Sequence, residues 1–111
     1  MLFRSAATIW GYNTNVASII HTNGAKILLT TVTYTGTYAT DVILTNLNAM
    51  ILTNWQGTFD GVINLNADPR IGQGALSGAN PYFYDSLHEN NSGYEAELPI
   101  YRSALQKVLT P

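Results

Sequence analysis

Cysteine is absent, charge is scarce, and no long apolar run occurs anywhere in the 111 residues. Without cysteine there can be no disulfide and no thiolate metal site. Five Lys and Arg are scattered at Arg4, Lys26, Arg70, Arg102 and Lys107, and the net charge is −2. A nucleic-acid backbone needs a clustered positive face, so no nucleic-acid partner is expected. Thr, Asn and Gly interrupt every apolar stretch well short of the roughly 18 residues a membrane-spanning helix requires. An outer-membrane barrel would need more strands and turns than this chain comfortably supplies. The opening residues MLFRSAATIWGYNTN show no apolar core followed by a cleavage site, so signal-directed export is not expected.

The scarcity of charge is the most informative of these absences. Asp, Glu, Lys and Arg make up 11% of the chain, against about 25% in an average globular domain. Between Ile27 and Phe59 the only charged residue is Asp41. Thr, Asn, Ser and Gly supply the remaining polarity. Hydroxyls and amides are cheap to desolvate against a partner when they find hydrogen bonds, whereas an unpaired charge is not. A surface of this kind is expected to face other protein.

What is present reads first as strands. Asn23-Gly24 lies between the apolar runs of VASIIHT and AKILLTT, a strong hairpin signal. That turn would set Ile20 opposite Ile27 and Ile19 opposite Leu28, leaving both faces apolar in mid-hairpin. TTVTYTGTYAT alternates, with Val32, Tyr34, Gly36 and Tyr38 on one face and Thr31, Thr33, Thr35 and Thr37 on the other. DVILT and MILTNW repeat Ile-Leu-Thr-Asn eight residues apart, with NLNA read as the loop between two strands, and Asp60-Gly61 offers another turn. The expected fold is mainly β, an antiparallel β-sandwich or small barrel. Residues 1–69 are expected to form its β-rich core. Residues 70–98, poor in periodicity but carrying scattered apolar anchors, read as an extended loop or arm. A short C-terminal helix is expected over 99–111, opened by Pro99 and striped by Ile100, Ala104, Leu105, Val108 and Leu109. All three belong to a single domain.

Titratable groups are densest at Asp85, His88, Glu89, Glu95 and Glu97. If 85–90 were helical, Asp85 and Glu89 would lie one turn apart beside His88, a possible cation site, but their spacing matches no ligand class. A two-carboxylate acid–base pair such as Asp85 with Glu97 is the other chemistry these groups offer, and nothing in the sequence orients one to a substrate. No phosphate loop and no nucleophile motif occurs. No enzyme activity, metal or cofactor is expected. Trp10, Tyr12, Trp55 and the run Tyr82-Phe83-Tyr84 suggest an alternative, a monomeric carbohydrate- or ligand-binding β-module that stacks sugars on aromatic faces.

The reading that unites low charge, Thr-rich faces and an anchored arm is assembly. The chain is expected to be a structural protein that binds copies of itself, with a trimer as a guess. In its most concrete form it is a minor virion component, a capsid decoration or cement protein, located in the virion and touching a major shell protein. The interface would draw on Thr31, Thr33, Thr35, Thr37, Ile71, Leu76, Tyr82, Phe83 and Tyr84.

Overall fold

The computed structural model describes residues 5–34, 38–73, 80–85 and 87–110, and helices dominate it. Among the described residues there are three α-helices, α1 (Ala6–Thr22), α2 (Tyr38–Asn54) and α3 (Asn91–Leu109). Two short strands, β1 (Leu28–Thr30) and β2 (Gly61–Ile63), pair in parallel, and a 3-10 turn spans Leu65–Ala67. This overturns the expectation of an antiparallel β-sandwich or barrel, and with it the all-β reading of residues 1–69. Helix α2 is the crossover that a parallel strand pair requires.

Local chemistry explains how the strand signals became helix. The Ser5 hydroxyl caps α1 by accepting the Thr8 N–H at 3.2 Å. At the other end, Asn23-Gly24 closes the helix instead of turning a hairpin. Gly24 has φ +77°. Its N–H reaches the His21 carbonyl at 2.9 Å, and the Ala25 N–H reaches the Ile20 carbonyl at 3.2 Å. These two bonds define a Schellman cap. A type I′ turn and a Schellman cap both demand positive φ, and Asn-Gly supplies it for either. Ile20 is therefore not paired with Ile27. The strand register is Leu28↔Gly61, Leu29↔Val62 and Thr30↔Ile63.

Both copies of Ile-Leu-Thr-Asn lie within α2, so the strand–loop–strand reading of this stretch is also corrected. Eight residues are just over two helical turns, which brings the copies onto overlapping faces. The inward stripe is Leu47, Asn48 and Ile51, and Ile51 is fully buried. Helix α1 packs on α2, and Trp10 meets Phe59 with ring centroids 5.6 Å apart at a tilt of 55°. The second core cluster joins Ile63, Leu65, Ile71, Phe83 and Ala96 beneath Ile100 and Ala104 of α3. Each fully buried side chain of this size contributes about 1.5–3 kcal/mol.

Polar groups complete the sheet where strands are missing. Asn48 pairs with both backbone groups of Val32, accepting its N–H and donating to its carbonyl, each at 2.8 Å. Thr31 sends its N–H to the Ile63 carbonyl at 3.0 Å, and its hydroxyl donates to Asn64 Oδ1 at 3.1 Å and accepts the Asn66 N–H at 3.0 Å. Asp60 ties the end of α1 to the start of both strands. One of its oxygens accepts the Ile27 N–H at 2.7 Å and lies 2.8 Å from His21 Nε2.

Helix α3 begins eight residues before the expected start at Pro99. Asn90 is its cap, with a side chain that accepts the Gly93 N–H at 3.1 Å and donates to the Pro81 carbonyl at 2.8 Å. Gly93 allows this first turn to sit against the preceding segment, since a Cβ there would collide with the Tyr82 carbonyl and lie 2.8 Å from Glu89 Cβ. Pro99 lies inside α3 on its exposed side.

Candidate functional site

Residues 80–85 and 87–90, read above as part of a loop with a helical turn at 85–90 as an option, form a tight hairpin. The Asn90 N–H bonds to the Tyr82 carbonyl and the Tyr84 N–H to the His88 carbonyl, both at 3.0 Å. Phe83 and Glu89 pair as an antiparallel bridge. The hairpin turns on Asp85, whose Oδ1 accepts the N–H groups of Leu87 at 2.8 Å and His88 at 2.6 Å, while Oδ2 holds His88 Nδ1 at 2.8 Å. Those backbone donors, with the His88 ring, pull the Asp85 carboxyl down to about 2.

Pairing Phe83 with Glu89 sends Phe83 into the core and brings Glu89 against α3, where it is buried. Its carboxyl lines the same cleft as Glu97, on the second turn of α3, and the two carboxyls act on each other. Burial first, then the bond to Glu97 and the charge of Glu97, push the Glu89 carboxyl up to about 7. Tyr101, one turn beyond Glu97, is raised by its own burial and by both carboxylates. The pair borders a cleft of about 290 Å³, with Thr30–Thr33 and Leu65 on one side, Leu87 and His88 on another, and Tyr94 on the third.

The five acidic and imidazole groups singled out in the sequence thus split into two sets. Asp85 and His88 form an exposed pair that shapes the hairpin, Glu89 and Glu97 form the inner pair, and Glu95 is exposed on α3. Asp85 and Glu97 are not bonded as an acid–base pair, because each has a different partner. Among the described residues no group of three or more His, Asp or Glu is placed to hold a metal ion. The aromatics also separate. Trp10 packs on Phe59, Phe83 enters the second core cluster, Arg70 lies over the Tyr82 ring at 5.9 Å, and the exposed Tyr84 stacks on His88.

The residues expected at an interface have equally varied positions. Thr31, Ile71 and Phe83 are inside the core of the chain itself, with Thr31 and Ile71 at 1% and 0% exposure. Thr33 lines the cleft, Tyr82 is half-buried and Tyr84 is exposed. Thr35, Thr37 and Leu76 lie outside the described residues.

Sequence reasoning missed the outward helix faces. On α3, Tyr94, Leu98, Leu105 and Leu109 are 55, 62, 43 and 73% exposed. They follow helical spacing over about 22 Å of the helix. On α1, Tyr12, Val16 and Ile19 form a second exposed row at spacings of four and three, on a helix that contains no Asp, Glu, Lys or Arg. The signal was available for α3, since Leu105 and Leu109 fall in its apolar stripe. The structure divides that stripe, turning Ile100, Ala104 and Val108 inward or partly inward and leaving the two leucines in solvent.

No helix among the described residues is long and apolar enough to cross a membrane. No protein-family model, no curated protein and no solved structure matches the chain.

Proposed function

We propose that this chain is a non-catalytic assembly module that associates with copies of itself through its outward helix faces. The observation that carries the reading is the row Tyr94, Leu98, Leu105 and Leu109, whose exposed apolar surface runs along nearly the whole of α3. Scattered apolar residues are ordinary on a protein surface, but four on one face of one helix, interrupted between Leu98 and Leu105 by half-buried Tyr101 and exposed Arg102, mark an interaction face. The uncharged α1, with Val16 and Ile19 exposed, supports the same reading because it too can be covered without stranding a charge. The Thr ladder no longer contributes, since its described members serve the core and the cleft. No observation supports a virion location or a coat-protein partner, and the proposal is of self-association alone.

Light scattering over a dilution series tests it. The wild-type chain is expected to form a defined oligomer that Leu98→Glu or Leu105→Glu converts to monomer. Both positions are exposed, so circular dichroism of the variants should match wild type. A wild-type chain that is monomeric throughout, or an oligomer indifferent to both changes, would refute the reading. In the monomeric case a glycan-binding screen would take precedence, with Tyr84 as the first of the exposed tyrosines to test.

A further inference from the structure

Glu89 and Glu97 hold a polar contact that the association reading does not use. A buried carboxylate is normally kept ionised by a nearby cation. Among the described residues no Lys or Arg lines this cleft. The groups that face Glu89 are Glu97, Tyr94 and Tyr101 from α3, His88 from its own hairpin, Thr30, Thr31 and Thr33 from β1 and the residues after it, and the apolar Leu65 and Val32. His88 is engaged through Nδ1 with Asp85. Two carboxyls that line one cleft with no Lys or Arg beside them favour sharing a proton, because ionising both places like charges in one partly desolvated site.

We propose that Glu89 and Glu97 form a proton-operated latch, which holds the 82–90 hairpin against α3 while they share a proton and loosens it when that proton passes to solvent. The geometry gives the latch something to act on. Glu89 lies in the returning arm of the hairpin, one residue before the cap of α3 and directly against Gly93. Repulsion from Glu97 therefore bears on the arm that supplies both the cap and the Phe83 bridge. The raised Glu89 carboxyl agrees with this arrangement and sets the sign. A folded-state value above the ordinary 4.5 means that the closed form binds the proton more tightly than the open form. Closure is then unimpaired below the ordinary value and weakens as pH rises towards the folded value of about 7.

Hydrogen exchange of the full-length chain reads the latch directly. The amides of Tyr84 and Asn90 close the hairpin and report its opening. Once corrected for intrinsic rates, their protection is expected to fall at least tenfold between about pH 5.5 and pH 8, with a ceiling of roughly 30-fold from linkage. Glu89→Gln cannot ionise and should abolish the fall. Glu97→Gln offers an amide donor in place of a like charge and should make the fall shallower. Should Glu89→Gln fail to fold by circular dichroism, the Glu97→Gln slope decides. Protection independent of pH in the wild-type chain, a fall of the same size in the folded Glu89→Gln chain, or an unchanged slope in Glu97→Gln would each overturn the latch. Repeating the measurement at a tenfold lower protein concentration separates it from association: a slope that persists supports the latch, and one that vanishes on dilution overturns it.

Discussion

Replacing Asn48 should cost more stability than almost any other polar change in this chain. Its amide is 4% exposed and serves both Val32 backbone groups at 2.8 Å, a task that a neighbouring strand would normally perform. In Asn48→Ala both groups lose their partner inside the protein. An orphaned buried donor or acceptor costs about 1–3 kcal/mol, so the pair should cost roughly 2–6 kcal/mol. That is a large share of the 5–15 kcal/mol typical of a whole domain. Asn48→Asp is the sharper test. It keeps an acceptor for the Val32 N–H but turns a carboxylate oxygen towards the Val32 carbonyl in place of a donor. Protonating that carboxyl restores an O–H donor, so the aspartate should have a raised folded-state pKa. Its penalty should be full at neutral pH and shrink as pH falls. Urea titrations followed by circular dichroism measure both. With a slope of about 1–2 kcal/mol/M for a chain of this size, a loss of 3 kcal/mol moves the midpoint by roughly 2 M. If both variants lie within about 0.5 kcal/mol of wild type at neutral pH, then Asn48 does not substitute for a strand, and the account of how β1 is continued fails.

Two further changes probe the ends of α1. Gly24→Ala places a side chain at φ +77° where no atom lies within 4 Å, so its cost should be conformational alone, about 1 kcal/mol. That should lower Tm by roughly 4–8 °C, with Gly24→Asn losing less; a Gly24→Ala chain as stable as wild type would contradict the Schellman cap. Asp60→Asn removes the charge that accepts from Ile27 and His21. The Ile27 N–H, then His21, hold the Asp60 carboxyl below 3.8, so its contribution is present above that value and lost as pH falls through the folded pKa. The Tm gap between wild type and Asp60→Asn should be open near pH 6 and narrow as pH falls below 3.8; a gap that does not change with pH would mean the charge is irrelevant to the tie.

The parts of this fold that could be read from the sequence were those whose signal had a single interpretation. The inward stripe of α3 was visible as Ile100, Ala104 and Val108. The start of that helix was not, because Pro99 resembles a first-turn residue and the true cap, Asn90 with Gly93, sits in a stretch that looks like loop. Helix α2 was hidden by its own core. Spacing between Leu47 and Ile51 is helical, but the position between them on the buried face is Asn48, and an amide there breaks the apolar pattern that announces a helix. Val, Ile and Thr throughout α1 and α2 lower helix propensity by only tenths of a kcal/mol each, so packing of α1 on α2 can override them. Asn23-Gly24 was ambiguous in principle, since one backbone requirement fits both a turn and a cap. Ser5 was the clue that could have decided it, because a cap at each end frames a helix and a hairpin needs neither. The Glu89–Glu97 pair obeys no spacing rule. One member lies in a hairpin and the other on a helix, and the Asn90 cap, the close approach at Gly93 and the packing of Phe83 on Ala96 bring those elements together.

The missing charge now has a different structural meaning. In a sheet, an uncharged segment hides by pairing its edges; in a helix the backbone is already satisfied and only the side chains must find cover. Helix α1 covers one side against α2, yet Val16 and Ile19 point away from it, and α3 covers Ile100 and Ala104 while Leu98 and Leu109 stay outside. Burying those outward rows would strand no charge on α1. On α3 the neighbouring charges are Glu95 and Arg102, seven residues or about two turns apart and both exposed, with Arg102 between Leu98 and Leu105. Composition and geometry therefore make the same demand from opposite directions. On α1 the sequence omits charge where a partner would have to desolvate it and the fold turns those residues outward, while on α3 a partner must leave Arg102 in contact with water. Association through α3 with α1 intact is thus the first point at which the reading should be tested, and Leu98→Glu is the smallest change that separates it from a surface that merely happens to be apolar.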